Sequence, residues 1–473
     1  MNAALLSLVL PLGCGLGLLL FRSRSGWWVV ASSVGSVLAA ALSLRGVVTQ
    51  GNQQLALGGW QGALAVQLEQ EPVSGMLMLL TALIHLLVAL YALRSRHSHA
   101  ADHDFWPLSS LLHASLAALW LSRDLFNWYI CLELLGLVAV SLVMTSGARA
   151  YASALQYLLL SIAASGCYLL GVTLLYGRYG VLDLGLLAEV IEMDRATHTA
   201  LVLITLGLMV KGALWPLHLW LPRAHAGAPT AVSALLSGLV VKGPLFILWL
   251  IWSRLAPAEL AAEVGIWFAC AGLGALLIGG WSAFRTPYIK MLPAYSTVAQ
   301  LGYAMLALGL LLRWQQPSMT AALWLFILAH ALAKASLFLL AGEMQESITT
   351  RRVARLVASA QSMPVALFGF ALAGGSLIGL PPSGGFVAKW LMLREILRVP
   401  EHWPWAVGLL LGTLATAAYI LRIAVLSVST RRPPHELSQP DTGAQWLALL
   451  PALCAWLLAL WTQPLMAWLE RVA

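Results

Sequence analysis

Five lysines occur in the 473 residues against 22 arginines, and four of the five (Lys211, Lys242, Lys334 and Lys389) lie inside long apolar runs. A cation at bilayer depth costs at least about 2.5–3.5 kcal/mol, so it faces a protein interior or a wet cavity. Lysine can surrender its proton when desolvated, whereas arginine effectively cannot. Lysine inside and arginine in the connections is the distribution a proton path requires. Glu133, in DLFNWYICLELLGLVAVSL, reads as the one carboxylate deep in an apolar run. Unpaired there it would be forced neutral, so it must meet a lysine or carry a proton. His330 and Lys334 are four residues apart and share a helix face, as neighbouring proton-exchanging groups would. Lys242 lies mid-run, too deep to reach the interface, while Lys211 and Lys389 could also extend their ammonium groups from helix ends. His218 and His225 fall in a proline-rich interruption after Lys211, where they could exchange protons with Lys211, Lys242 or solvent, or simply cap an interrupted helix. His85 and His113 read as lone packing residues in apolar runs.

The elements that position these groups follow from composition. Sixty per cent of the chain is hydrophobic, 10% is charged and the mean hydropathy is +0.84, which describes an all-α polytopic membrane protein. Apolar runs near 3–21, 26–44, 73–93, 105–122, 124–145, 151–177, 197–221, 230–252, 263–283, 289–312, 317–341, 363–395, 403–428 and 443–468 give about 14 transmembrane helices. The first run lacks a charged leader and reads as a retained helix. With the N-terminus outside, thirteen basic residues of the connections (among them Arg22, Arg94, Arg149, Arg223, Arg285, Lys290 and Arg351) fall on the cytoplasmic side against nine on the other, the balance the positive-inside rule favours. The net charge of +8 therefore reflects membrane orientation and does not call for nucleic acid. Five scattered cysteines form no CxxC pair, and no His/Asp/Glu cluster has metal-ligand spacing, so neither a metal nor a cofactor is expected. Gly58–Trp60 reads as an interfacial turn.

Proline breaks two runs, WPLHLWLP after Lys211 and SLIGLPPSGGFVAKW before and around Lys389. Freed backbone at membrane depth is tolerated only where it is buried in protein or lines a wet cavity. Each interrupted helix is the fourth of five. The division expected is therefore helices 1–3 over 1–104, a first inverted repeat of helices 4–8 over 105–252, a second over 263–428 (helices 9–13), and helix 14 over 443–473.

At these residues the chain resembles the antiporter-like membrane subunits shared by respiratory complex I, Mrp-type cation/proton antiporters and membrane-bound hydrogenases. The motifs are KGALWPLHLWLPRAHAGAPTAVSALLSGLVVK, the Glu133 helix, AYSTVAQLGY at Ala294–Tyr303, HALAKASLFLLAG at His330–Gly342 and GLPPSGGFVAKW at Gly379–Trp390. The resemblance implies two inverted five-helix repeats, each supplying half a proton channel. It also implies a Glu133–Lys211 charge pair, a central Lys242, a His330/Lys334 link and a terminal Lys389. Tyr288 stands where the family usually has an aspartate, and Glu69 and Glu71 replace its usual pattern before the third helix. Neither departure touches the lysines.

The expected function is proton translocation by one subunit of a multi-subunit complex in the bacterial inner membrane. Its partners would be other integral membrane subunits and the bilayer, with protons and Na+ or K+ as cargo. The Mrp-type monovalent cation/proton antiporter is the first reading. A subunit powered by an NADH:quinone oxidoreductase or hydrogenase, or the membrane partner of an inorganic-carbon uptake complex, is the alternative. A scaffold whose buried charges only hold helices together is the rival of another class.

Overall fold

A computed structural model describes residues 2–22, 25–56, 67–95, 104–348, 350–429 and 441–469. The Gly58–Trp60 turn lies outside them. The helices are α1 (Asn2–Phe21), α2 (Gly26–Gln50), α3 (Pro72–Arg94), α4 (Phe105–Leu121), α5 (Leu125–Met144), α6 (Tyr151–Tyr179), α7 (Leu184–Val190) and α8 (Arg195–Lys211). They continue as α9 (Leu221–Gly227), α10 (Thr230–Leu235), α11 (Lys242–Arg254), α12 (Ala258–Arg285), α13 (Met291–Trp314) and α14 (Pro317–Ser347). The chain closes with α15 (Pro364–Ile378), α16 (Gly384–Ile396), α17 (Trp403–Val428), α18 (Thr442–Leu457) and α19 (Thr462–Leu469). Among the described residues, eleven helical stretches are long and apolar enough to cross a membrane, and Phe105–Leu121 and Pro364–Ile378 are shorter apolar helices. The expected figure of 14 counted apolar runs; this one counts uninterrupted helix. The α-helical membrane class stands. One exception is a small antiparallel pair, β1 (Gln53–Ala56) with β2 (Gln67–Gln70), in the connection before α3.

Local sequence sets where helices start. The Asp124 side chain accepts the Asn127 amide at 2.7 Å, Asp194 accepts Thr197 at 2.8 Å, and Ser383 accepts Phe386 at 3.2 Å, satisfying donors that a helix start leaves unpaired. Burial then sorts the helices. Large apolar side chains of α1, α2, α12 and α17 (Leu20, Trp27, Leu38, Trp267, Leu414, Val425) are exposed, as suits contact with acyl chains. The most apolar windows of α14 and of Thr230–Arg254 are wholly buried instead. These two rods and α13 form the centre, and all the chemistry expected of Lys242, His330 and Lys334 lies on them.

Glycine fixes how closely α12 and α13 approach. A Cβ on Gly272 would lie 2.6 Å from the Gly302 carbonyl oxygen, and one on Gly302 would lie 2.6 Å from that of Gly272. One heptad away, a Cβ on Gly265 would meet the Gly309 carbonyl at 2.5 Å. Only small residues allow helices this close in the absence of a hydrophobic force between them. The contact fixes the rotation of α13 and so the direction of its polar residues.

Candidate functional site

Helix α8 ends at Lys211, and regular helix resumes at Leu221. Between them Ala213 adopts a left-handed conformation (φ 50°), Trp220 Nε1 donates to the freed Val210 carbonyl at 2.7 Å, and the Trp220 ring stacks on Tyr157 at 3.9 Å. The end of α8 presents Lys211 to α5 and α6. Its Nζ lies 2.9 Å from Glu133 Oε1 and donates to Ser161 Oγ at 3.2 Å. Ser165 Oγ donates to the same carboxylate oxygen. The Lys211 side chain is 6% exposed and that of Glu133 26%, so the pair is protein-covered at the amine and open towards the carboxylate.

A turn with i→i+5 hydrogen bonding over Leu236–Val240 precedes Lys242. Such turns release carbonyls from the regular ladder, and Lys242 Nζ donates to one of them, that of Ser237. The Ser237 hydroxyl lies 2.8 Å from Thr297 Oγ1 on α13. Four residues earlier on α13, the Pro293 carbonyl accepts both Thr297 Oγ1 at 2.9 Å and Lys334 Nζ at 2.8 Å. Lys334 also donates to Ser296 Oγ at 2.7 Å, which lies 2.7 Å from Tyr419 Oη. Gln300 Nε2 reaches Tyr419 Oη at 3.3 Å and Thr416 Oγ1 at 3.0 Å. One turn further along, the Tyr303 ring faces Lys389, whose Nζ is 3.9 Å from the ring centroid.

Lys389 is held by the second interruption. Helix α15 ends at Gly379 (φ 91°), a left-handed position that glycine occupies without strain. Two carbonyls at that helix end, Leu377 and Ile378, accept Lys389 Nζ at 2.7 and 3.2 Å. A helix C-terminus carries partial negative charge, so it stabilises the ammonium without a carboxylate.

The expected residues thus fall into two groups. Glu133 and Lys211 form one. Lys242 and Lys334 form the other, with the Ser237 and Thr297 hydroxyls between the carbonyls that hold them, and Lys389 adjoins it at the Tyr303 ring. Between the groups, the space bordered by Lys211, Val240 and Pro244 is only about 10 Å3, at the limit for one water. His330 is buried against Phe326 (5.7 Å, nearly parallel) with both ring nitrogens unpartnered. His225 is likewise buried with both nitrogens unpartnered, stacked 4.4 Å from Phe338. His218 sits half-exposed in the interruption, its Nδ1 without a hydrogen-bond partner among the described residues.

Sequence reasoning missed several groups. Of the hydroxyls of Ser237, Ser296, Thr297 and Tyr419, the motif AYSTVAQLGY contains Ser296 and Thr297, and nothing in the sequence marks Tyr419. Glu133 is not the sole deep carboxylate: Glu343 is 1% exposed in α14, which runs past the expected end at 341, and accepts Tyr91 Oη at 2.5 Å and Ser95 Oγ at 3.1 Å. Glu395, 3% exposed in α16, is bridged by Arg394 and Arg398. His85 and His113 are not lone; their rings lie 4.8 Å apart, and His85 Nδ1 is 2.8 Å from Ser33 Oγ. At the opposite membrane face from Lys290, Glu71 is gripped by Arg123 (3.2 Å) and Arg254 (2.5 Å). Burial alone would raise the Glu71 carboxyl, but the two guanidinium groups bring it below its ordinary value. Among the described residues, no three His, Cys, Asp or Glu side chains converge as a metal site.

Residues 122–416 match the family described as NADH:quinone oxidoreductase/Mrp antiporter, TM. The chain is 33% identical to the N-type NADH-quinone oxidoreductase subunit of Desulforudis audaxviator over 84% of this chain and 79% of that one. It is 26% identical to the D-type Na(+)/H(+) antiporter subunit of Bacillus subtilis over 97% and 93%. A chain of the Mrp complex from Dietzia superposes with a TM-score of 0.88 at 22% identity, covering 99% of this chain and 96% of that one, which shows a common fold.

Proposed function

The chain belongs to the NADH:quinone oxidoreductase/Mrp antiporter transmembrane family, and from that premise we propose that it moves protons along Glu133, Lys211, Lys242, His330/Lys334 and Lys389 as one subunit of a multi-subunit membrane complex. The observation that carries this reading is the polar run between the lysines: the Ser237 and Thr297 hydroxyls lie between the carbonyls that hold Lys242 and Lys334, and from Lys334 hydroxyls continue through Ser296 to Tyr419, with the Tyr303 ring facing Lys389. Carbonyls hold the ammonium groups in place, whereas hydroxyls both accept and donate and can pass a proton. Lys211 takes up and gives back charge against Glu133. The nearly dry gap beyond it makes hydration the gate between the two groups. His225 and His330, buried with both ring nitrogens unpartnered, are intermediate stations.

The complex is a Mrp-type monovalent cation/proton antiporter in this reading, exchanging Na+ or K+ for protons in a bacterial inner membrane. Two inverted repeats, 105–252 and 263–428, each bring one interrupted helix, and the arginine distribution supports an outside N-terminus. The 33% identity to a quinone oxidoreductase subunit favours a second driving force for the same path, electron transfer in attached subunits. Flavin or iron–sulfur absorbance in the purified complex would select that version.

Proton flux into proteoliposomes holding the intact complex tests the path. Lys211→Ala should abolish flux with assembly preserved, and wild-type flux in that variant would refute it. Replacing Glu133 and Lys211 together by leucine separates transport from scaffolding, because a scaffold would keep full activity.

A further inference from the structure

At the basic membrane face a cavity of about 620 Å3 opens between the α5–α6 connection, α9, the start of α13 and the end of α14. Four cations line it, Arg149, Arg223, Lys290 and Arg351, against the single carboxylate of Glu346. Among the described residues none of the four takes part in a salt bridge. Arg223 donates to the neutral Gln156 Oε1 at 2.9 Å and Lys290 to the Ala228 carbonyl at 3.1 Å, so neither hydrogen bond neutralises a charge. Lys290 is only 8% exposed, and burial pushes its ammonium down to about 8, with Glu346 opposing and Arg351 reinforcing that shift. Like charges gathered round a concave space create a positive potential that attracts a counter-anion, and Arg149, Arg223 and Arg351 are exposed to it. Three guanidinium forks match the paired oxygens of an oxyanion, and the volume suits a small ligand or a lipid headgroup.

We propose that this cavity is a binding site for a phosphate-type oxyanion, gripped by Arg149, Arg223 and Arg351 with the buried Lys290 behind them. The site stands on its own lining residues and does not depend on the proton path. Two sources offer this chemistry, the headgroup of an anionic phospholipid and soluble phosphate. Occupancy would tie the α5–α6 connection to the ends of α9, α13 and α14.

The intact complex, exchanged into phosphatidylcholine nanodiscs, is titrated with inorganic phosphate against chloride of matched ionic strength. A parallel preparation contains phosphatidylglycerol, and bound lipid is counted by native mass spectrometry. The wild type should gain thermal stability from at least one of them. Arg149→Gln with Arg351→Gln should raise the half-saturating concentration about tenfold or more, since the charged hydrogen bonds of two guanidinium groups to the anion are lost. Arg149→Lys with Arg351→Lys should give an intermediate loss, because the charge remains and the fork is gone. If the double glutamine variant does not assemble, Arg351→Gln alone, an exposed position, is the comparison. A phosphate response alone assigns a soluble anion, a phosphatidylglycerol response alone assigns a headgroup, and a response to both assigns a headgroup that free phosphate mimics. No response to either, or equal responses in wild type and variants, overturns the proposal.

Discussion

Ser296→Ala is the most informative single change in the path. Ser296 is fully buried, accepts Lys334 Nζ at 2.7 Å and lies 2.7 Å from Tyr419 Oη. Alanine leaves Nζ with the Pro293 carbonyl as its one remaining acceptor and breaks the hydroxyl run towards Tyr419. A hydrogen bond to a charged group contributes about 1.5–3 kcal/mol, and each 1.4 kcal/mol is a factor of ten. Flux limited by this step should therefore fall about ten- to a hundredfold. The matched control is Ser336→Ala, on the helix that carries Lys334. Ser336 is equally buried, but its hydroxyl donates to the Ala448 carbonyl at 2.6 Å, away from the lysines. That change should cost about 1 kcal/mol of stability and leave flux untouched. Flux is read from the quenching of a pH-sensitive dye in proteoliposomes, with assembly checked by co-purification. Wild-type flux in Ser296→Ala, or an equal loss in Ser336→Ala, would refute the hydroxyl link.

Two further outcomes probe the frame around the path. Gly302→Leu puts a Cβ 2.6 Å from the Gly272 carbonyl and should destabilise by at least about 1–3 kcal/mol through overpacking, lowering the thermal midpoint; Gly166→Leu, where a Cβ meets nothing within 4 Å, should be neutral. Because Glu71 titrates below its ordinary value in the folded state, its contribution to stability is present above the unfolded carboxyl value and is lost as pH falls through the folded one. Arg254→Gln should shift that loss to higher pH in thermal melts recorded from neutral to acid pH; an unchanged acid profile would show that Arg123 alone sets the charge.

Lysine was legible because it is rare here and costly in lipid, so each buried one announces itself. The same cost required Glu133 to meet a lysine or carry a proton, and the family resemblance named Lys211 as that lysine. The hydroxyl path was not legible. A serine or threonine in a membrane helix ordinarily bonds its own i−4 carbonyl, as Thr297 does to Pro293, and only the packing of α13 against the turn before Lys242, α14 and α17 makes it part of a link. Glu343 was overlooked because α14 extends as helix beyond its apolar run to Ser347, with Tyr91 and Ser95 of another helix supplying its partners. His85 and His113 looked solitary because 28 positions separate them in sequence, and helix packing alone brings the rings together. The β1–β2 pair escaped notice because four-residue polar strands lack a readable alternation. The turn before Lys242 left no mark because Leu236–Val240 is as apolar as any regular helix.

Lys242→Arg tests the central claim most directly. The change retains a positive charge beside the Ser237 carbonyl but installs a group that does not release its proton under physiological conditions. Proton flux through the assembled complex, with co-purification at wild-type yield confirming assembly, should be lost. Wild-type flux would mean that fixed charge suffices and that lysine at this position is not a proton carrier.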